Sequence, residues 1–248
     1  MGKYFTVEIK PTIPNVAAGQ HSAFSDNDLL FDWFAFDVPR GANKLISMNY
    51  EVRPKGDAGA TVNELGFDLL IAKTVNERAP TGLGTVNSAL SSTKQHNHIV
   101  GGIQTGSTSF VGDLDHTAFS FFKSTLSMVQ VIEGEPNSGT TAGFDKLYIA
   151  GIAAGAFDFR AGVLINNGTL DGNRFTVDGV DPRLAFAIGD VIAATTTADT
   201  SVSKSLGTIK EMPDANTIVL ESTTTESPVD NDIIYNTAPI RIILSFEK

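Results

Sequence analysis

His96-Asn97-His98 is the sharpest metal-like signal in the sequence. Alternate residues of a strand point the same way, so two imidazoles at this spacing could share one ion. A third ligand would have to come from elsewhere, such as His21, His116 or an aspartate. The plainer reading is two solvated histidines in a polar loop. It takes precedence because His-x-His is common and carboxylates are spread along the whole chain. His96 and His98 are therefore weak metal candidates, and no bound metal or cofactor is expected. Asp113-Leu114-Asp115-His116 could supply a general base with its orienting acid, or a metal corner. A turn whose aspartates cap backbone groups explains it more simply. Asp26-Asn27-Asp28 and Asp230-Asn231-Asp232 have the carboxylate spacing that hard cations like. Neither continues into a calcium loop, which needs glycine at its sixth position and glutamate at its twelfth. Asx-turns account for both.

Nucleophile and phosphate motifs are missing from the sequence. There is no Gly-x-Ser-x-Gly, no Ser-x-x-Lys in a plausible frame, and no cysteine. No P-loop is present, and no Gly-x-Gly-x-x-Gly stands between a strand and a helix. Gly151 to Gly162 is rich in Gly and Ala without that spacing, and close strand packing is the simpler explanation. Asn167-Gly168-Thr169 matches a glycosylation sequon but reads as a turn. With one Trp and four Tyr, no aromatic platform for sugars is visible, and most of the 16 Phe sit in alternating strands as core residues. No catalytic residue is assigned, and the chain is read as a non-enzyme.

Composition narrows the class further. The 248 residues are enough for one large β domain or two smaller ones, and either can bury a core. Hydrophobic content of 42% and charged content of 19% fit an ordinary globule. The formal net charge is −10, with Lys+Arg only 18 and no basic stripe interleaved with aromatics. Such a surface repels phosphate backbones, so nucleic acid is not an expected partner. No basic amphipathic helix and no apolar run near the roughly 18 residues of a membrane helix is present, so no membrane is expected either. Zero cysteines remove disulfides, thiolate catalysis and Cys-zinc sites. Met1 to Lys10 has the pattern of a strand, so no signal peptide is expected.

The elements that would position any site are strands. In Ile240 to Lys248, Ile242, Leu244 and Phe246 share one face, while Arg241, Ser245 and Glu247 share the other. Phe5, Val7 and Ile9 alternate in the same way near the start. These two strands are expected in one sandwich that the final strand completes. Leu29 to Val38 is apolar on both faces and predicts a central, doubly buried strand with Trp33 in the core. Lys44 to Arg53 should turn Ile46, Met48, Tyr50 and Val52 inward, and Glu64 to Lys73 should do so with Leu65, Phe67, Leu69 and Ile71. These three strands, joined by short turns, read as an antiparallel meander. Residues 74 to 98 form a long polar loop, with one helical turn over Val86 to Ser91. A loop of that length is usually functional or interfacial. Ile99 to Thr105, Phe119 to Lys123, Ser127 to Glu133 and Lys146 to Ile152 are further strands.

Near residue 160 the texture changes. Asn167-Gly168, Asp171-Gly172 and Asp178-Gly179 are turn dipeptides in close succession. Short strands are expected at Arg174 to Val177, Asp190 to Ala194, Leu206 to Glu211, Thr217 to Glu221 and Ile233 to Asn236. About five short strands over roughly 70 residues suggest a small barrel. Ile188-Gly189-Asp190-Val191-Ile192 and Gly207-Thr208-Ile209 resemble stretches of small SH3-like β barrels. The expected architecture is all-β: an antiparallel, jelly-roll-like β-sandwich of residues 1–162 plus 238–248, with a small β-barrel-like module, 163–237, inserted before the last strand.

Three stretches carry a family resemblance: Lys3-Tyr4-Phe5-Thr6-Val7-Glu8-Ile9-Lys10-Pro11-Thr12, Ala23-Phe24-Ser25-Asp26-Asn27-Asp28-Leu29-Leu30-Phe31-Asp32-Trp33, and Ile242-Ile243-Leu244-Ser245-Phe246-Glu247-Lys248. They resemble virion structural proteins of marine tailed phages, particularly cyanophages. The resemblance implies a non-enzymatic particle component, assembled in the host cytoplasm and located in the virion. It implies the major capsid protein or other virion proteins as partners, and self-association into a homo-oligomer on a symmetric lattice. Capsid decoration is the leading expectation. A tail fibre or appendage that binds host surface glycans is the alternative, and a metal-dependent glycan hydrolase using His96, His98 or the Asp113/Asp115 pair is a third.

Overall fold

The structure, a computed structural model, describes residues 3–13, 24–53, 64, 66–90, 97–105, 112–114, 117–119, 130–133, 144–156, 159–166, 172–196 and 203–248. It is all-β, 59% strand and 2% helix, with antiparallel sheets. In chain order the elements are β1 (Tyr4–Ile9), β2 (Leu29–Pro39), β3 (Ala42–Val52), β4 (Phe67–Lys73), β5 (Ile99–Gln104), β6 (Gly112–Leu114), β7 (Thr117–Phe119) and β8 (Gln130–Glu133). Next come β9 (Phe144–Ala153), β10 (Arg160–Ile165), β11 (Arg174–Gly179), α1 (Pro182–Ala185), β12 (Val191–Thr195), β13 (Ser203–Asp214), β14 (Thr217–Leu220), β15 (Ile233–Asn236) and β16 (Ile240–Glu247).

Two sheets share one core. The first runs β1-β16-β3-β7-β6, with β8 also paired to β3, and the second runs β2-β9-β4-β5. β16 lies between β1 and β3, pairing Phe5 with Phe246 on one side and Tyr50 with Ile242 on the other. Its alternation is fully expressed: Ile240, Ile242, Leu244 and Phe246 are all completely buried. Aromatic rings cross between the sheets. Phe36 of the second sheet lies 6.5 Å from Phe246 of the first, and Phe67 meets Tyr50 edge-on at 5.1 Å.

The expected meander does not form. β2 and β4 both lie in the second sheet with β9 between them, while β3 lies in the first. The short turn at Arg40-Gly41 is a corner between sheets, not a hairpin. Pro39 has no N–H to donate across a hairpin. The buried Asn43 amide donates to the carbonyls of Pro39 (2.7 Å) and Gly41 (2.9 Å), which holds the corner. Alternation along a strand records which face is buried and not which neighbour it pairs with.

Two inward-facing sets also change. Leu45 pairs with Phe246 and Ser47 with Ser245, so Ile46 is the extra residue of a bulge. The bulge switches the buried face. Leu45 points in before it, Met48, Tyr50 and Val52 point in after it, and Ile46 is left half-buried. β2 is an edge strand, not a central one, and two bulges against β9 break its alternation. Trp33 is half-buried on the outer side of the second sheet, beside Leu29, Leu83 and Ala150. Gly151 takes its place because a Cβ there would overlap the Phe31 ring.

The strands from Arg160 to Asn236 close a six-stranded barrel in the order β10-β11-β14-β13-β12-β15. All five short strands expected in this stretch are present, and β10 is the sixth. A barrel this narrow is filled by side chains. Its core includes Val163, Phe175, Ile192, Leu206, Ile218 and Ile234, and Phe186 beyond α1 adds to it. β10 pairs with β15, bringing Arg160 opposite Tyr235. The chain therefore enters and leaves the barrel at neighbouring points.

Phe246→Ala should destabilise the sandwich by about 3–5 kcal/mol, because the ring is wholly buried, stacks on Phe5 at 5.1 Å and reaches Phe36. Urea unfolding of the full chain measures it. A loss below about 1 kcal/mol would mean that the ring is not central to the core.

Candidate functional site

Asp28, Asp190 and Asp232 build the same turn. In Ser25 to Asp28, Ala187 to Asp190 and Val229 to Asp232, the last residue's N–H donates to the first residue's carbonyl at 3.0–3.1 Å. The last residue's carboxylate in turn accepts the first residue's N–H at 2.7–2.8 Å. The third position is left-handed in each: Asn27 (φ 69°), Gly189 (φ 88°) and Asn231 (φ 66°). Asn and Gly tolerate that region best, and an Asp carboxylate readily caps a nearby amide. The Asp-Asn-Asp stretches are thus turn-formers, with Asn27 and Asn231 also donating to Asp26 and Asp230.

His98 precedes β5. Its Nδ1 lies 3.1 Å from the Lys73 carbonyl and must carry the proton there, since a carbonyl only accepts. Its own carbonyl accepts the Lys73 N–H at 2.9 Å, so ring and backbone both fasten β5 to β4. His96 lies outside the described residues, as do His21, Asp115 and His116, while Asp113 falls in β6. Among the described residues no three His, Cys, Asp or Glu side chains converge on a point that could hold a metal.

His98 lines a groove of about 540 Å³ with Val75, Asn76, Arg78, Thr81 and Asn97. A tight hairpin forms one wall. Val75 and Arg78 exchange both backbone hydrogen bonds at 3.1 Å, with Asn76 and Glu77 at positive φ between them. The following segment is tied to the second sheet. Trp33 Nε1 donates to the Thr81 carbonyl (3.0 Å), Leu83 N–H to Asp32 (3.0 Å) and Asn87 N–H to the Leu29 carbonyl (2.8 Å). Trp33 therefore anchors the loop instead of filling the core. In place of the expected helical turn, Val86-Asn87 is a turn with Asn87 at φ 59°. Among the described residues the groove offers amide, hydroxyl, guanidinium and imidazole groups and no lining carboxylate. Such a lining can hydrogen-bond hydroxyls or an anion.

A second cleft of about 250 Å³ separates barrel from sandwich. Arg53, at the end of β3, reaches Asp190 of the barrel at 2.9 Å and Glu51 at 3.2 Å. Arg241 reaches Glu8 at 2.8 Å and Glu51 at 3.5 Å, and Lys10 reaches Glu8 at 3.2 Å. Two backbone bonds run alongside: Arg53 N–H to the Pro239 carbonyl and Ile13 N–H to that of Thr237, both 2.9 Å. The lining charges pair with one another, so the cleft works as a tie across the junction. The Arg241 guanidinium, and after it the Lys10 ammonium, hold the Glu8 carboxyl below its ordinary range.

Compared with protein-family models and with curated proteins, the chain matches none. Asp190 and Arg53 were not singled out by residue type. The Asn/Gly-Asp pair shared by the three turns is the signal that marks Asp190, as it marks Asp232. For Arg53 there is none, since its partner lies 137 positions away.

Two measurements follow from these contacts. Asp232 is 1% exposed and pairs with Lys204 Nζ at 2.8 Å, so Asp232→Ala strands a largely buried ammonium. We expect it to lower stability by about 3–5 kcal/mol in chemical denaturation. For Glu8 the folded-state value is depressed, so its contribution is present above the unfolded value. That contribution should be lost as pH falls from about 5 towards 3, and Glu8→Gln should flatten part of that decline. An unchanged slope in the variant would remove Glu8 from the tie.

Proposed function

We propose that the chain is a non-enzymatic structural protein of a tailed-phage virion, and that it decorates the head shell by docking on the major capsid protein. The observation that carries this reading is strand order. One sheet contains β1-β16-β3-β8 and faces β2-β9-β4-β5. Most consecutive strands of this set cross from one sheet to the other, the exception being β4 and β5, which pair within the second sheet, and β16 returns beside β1. We read this order as jelly-roll-like, after the architecture whose eight strands form two Greek keys and which recurs in viral capsid and lectin domains. The barrel occupies the connection between the seventh and eighth of these strands. The resemblance of both chain ends to marine phage virion proteins points the same way. So does a junction whose ionic side chains are engaged with one another.

A second reading, an appendage protein that binds host surface glycans, draws support from the polar groove beside Trp33. Arg78 and the amides of Asn76 and Asn97 suit sugar hydroxyls or an acidic sugar's carboxylate.

Mass spectrometry of purified particles, counting copies of this chain, decides between them. Hundreds of copies per particle are expected for decoration of the head lattice. A few to a few dozen would make the appendage reading the better one. Absence from particles would overturn both.

A further inference from the structure

The open edges of the two sheets differ in how well they are protected against pairing. An unpaired strand edge is a template for another strand unless a bulge, a charge, a proline or a covering segment blunts it. β5 is paired to β4 through a bulge and contains Gly101-Gly102. β2 carries two bulges, and Asn87 and Ser88 cover its start. β6 is three residues long. β1 carries one charge, Glu8, which Arg241 and Lys10 pair, and it has no bulge: its six residues pair with β16 in unbroken register.

The phase of that register fixes which groups face out. Lys3 and Lys248 exchange both backbone hydrogen bonds. In an antiparallel ladder such pairs alternate, so Phe5, Val7 and Ile9 also direct their N–H and C=O groups to β16. Those of Tyr4, Thr6 and Glu8 therefore point away from the sheet and meet no backbone partner among the described residues. On the core side Phe5 and Val7 are only half-buried at this margin, although both pack against the main core. Tyr4 is 70% exposed.

We propose that β1 pairs antiparallel with β1 of a second copy across a twofold axis at Thr6, joining the two first sheets into one. In this register Thr6 faces Thr6, and Tyr4 and Glu8 face Glu8 and Tyr4 of the second copy. All three outward residues then exchange both backbone hydrogen bonds. Phe5 lies beside Val7 of the second copy, which covers the apolar margin that each chain leaves half-open. Thr–Thr and aromatic–β-branched neighbours are favourable cross-strand pairs, and no like charges stand opposite one another. A slip of two residues leaves an outward residue unpaired, and a slip of one puts apolar against polar faces. The six residues are thus complementary to themselves, as an isologous contact requires, which favours a second copy over an unrelated strand. The inference stands on this edge alone and is independent of the virion reading.

Sedimentation velocity of the full chain tests it. A single strand pair is a small interface, so the concentration series should reach about 0.5 mM. The wild type should approach twice the chain mass. Thr6→Pro should stay monomeric with an unchanged melting temperature, because the Thr6 N–H is not used by β16 and proline is tolerated on an edge. Thr6→Lys sets like charges across the axis and should also stay monomeric; it decides the matter if the proline variant fails to fold. A wild type that remains monomeric across the series overturns the proposal. So does a folded Thr6 variant that dimerises as the wild type does.

Discussion

The architecture depends on the position of β16 between β1 and β3. Two strands from opposite ends of the sequence can share a sheet only if the last one forms the bond between the first and the third. Four wholly buried side chains, Ile240, Ile242, Leu244 and Phe246, are contributed by that one strand. At roughly 1.5–3 kcal/mol for each buried apolar side chain, their sum rivals the whole margin of a typical domain. Contacts so distant in sequence close slowly, since a large loop must be ordered before they form. The barrel lies inside that loop. Its own strands are close in sequence, and β10 and β15 bring its two ends together. Folding of the barrel first would therefore shorten the effective loop that β16 has to close.

The same geometry explains how the barrel is accommodated at this point. It lies within the connection from β9 to β16, and both connectors emerge from adjacent strands. What fixes the barrel against the sandwich is a small set of polar contacts. Arg53 links the ionic cluster on the outer face of the first sheet, through Glu51, to Asp190 of the barrel. Asp190 also caps the Ala187 turn, so a single carboxylate shapes the barrel loop and holds it to the neighbouring sheet. The junction is held by charge and backbone bonds more than by a shared apolar core. The buried side chains in fact divide into separate clusters, one for the sandwich and one for the barrel.

The all-β class and most strand positions were legible because period-two alternation is a direct consequence of one buried face. β16, β9 and β4 read cleanly for that reason. Pairing was not legible. The turn at Pro39-Arg40-Gly41 has the composition of a hairpin, yet the chain changes sheets there, and only the Asn43 amide reveals that the corner's carbonyls need a side-chain donor. Bulges were invisible for a related reason. Ile46 is as apolar as Leu45, and the choice of which one faces the core is made by the register of β16. Trp33 was misplaced because an aromatic in an apolar run suggests the core, whereas here its indole N–H anchors a loop. Of the chemistry-bearing stretches, Asp-Asn-Asp was readable as a turn from the known preference of Asn for left-handed backbone. The groove was not readable, since Arg78 and Asn97 come together only through the pairing of β4 with β5.

Exposed edges and paired charges together describe a molecule whose surface is prepared unevenly. β5 and β2 are blunted by glycine and bulges, and the ionic groups at the junction are committed. Among the described strands, β1 keeps a regular row of outward amides and a half-open apolar margin. A protein that only needed to remain monomeric would be expected to blunt that edge too, because the same devices occur elsewhere in its own sheets. The contrast between edges lies within one chain. It locates the capacity for strand-to-strand association at the margin that β16 holds in place, so the strand that completes the fold also sets the register of its most open edge.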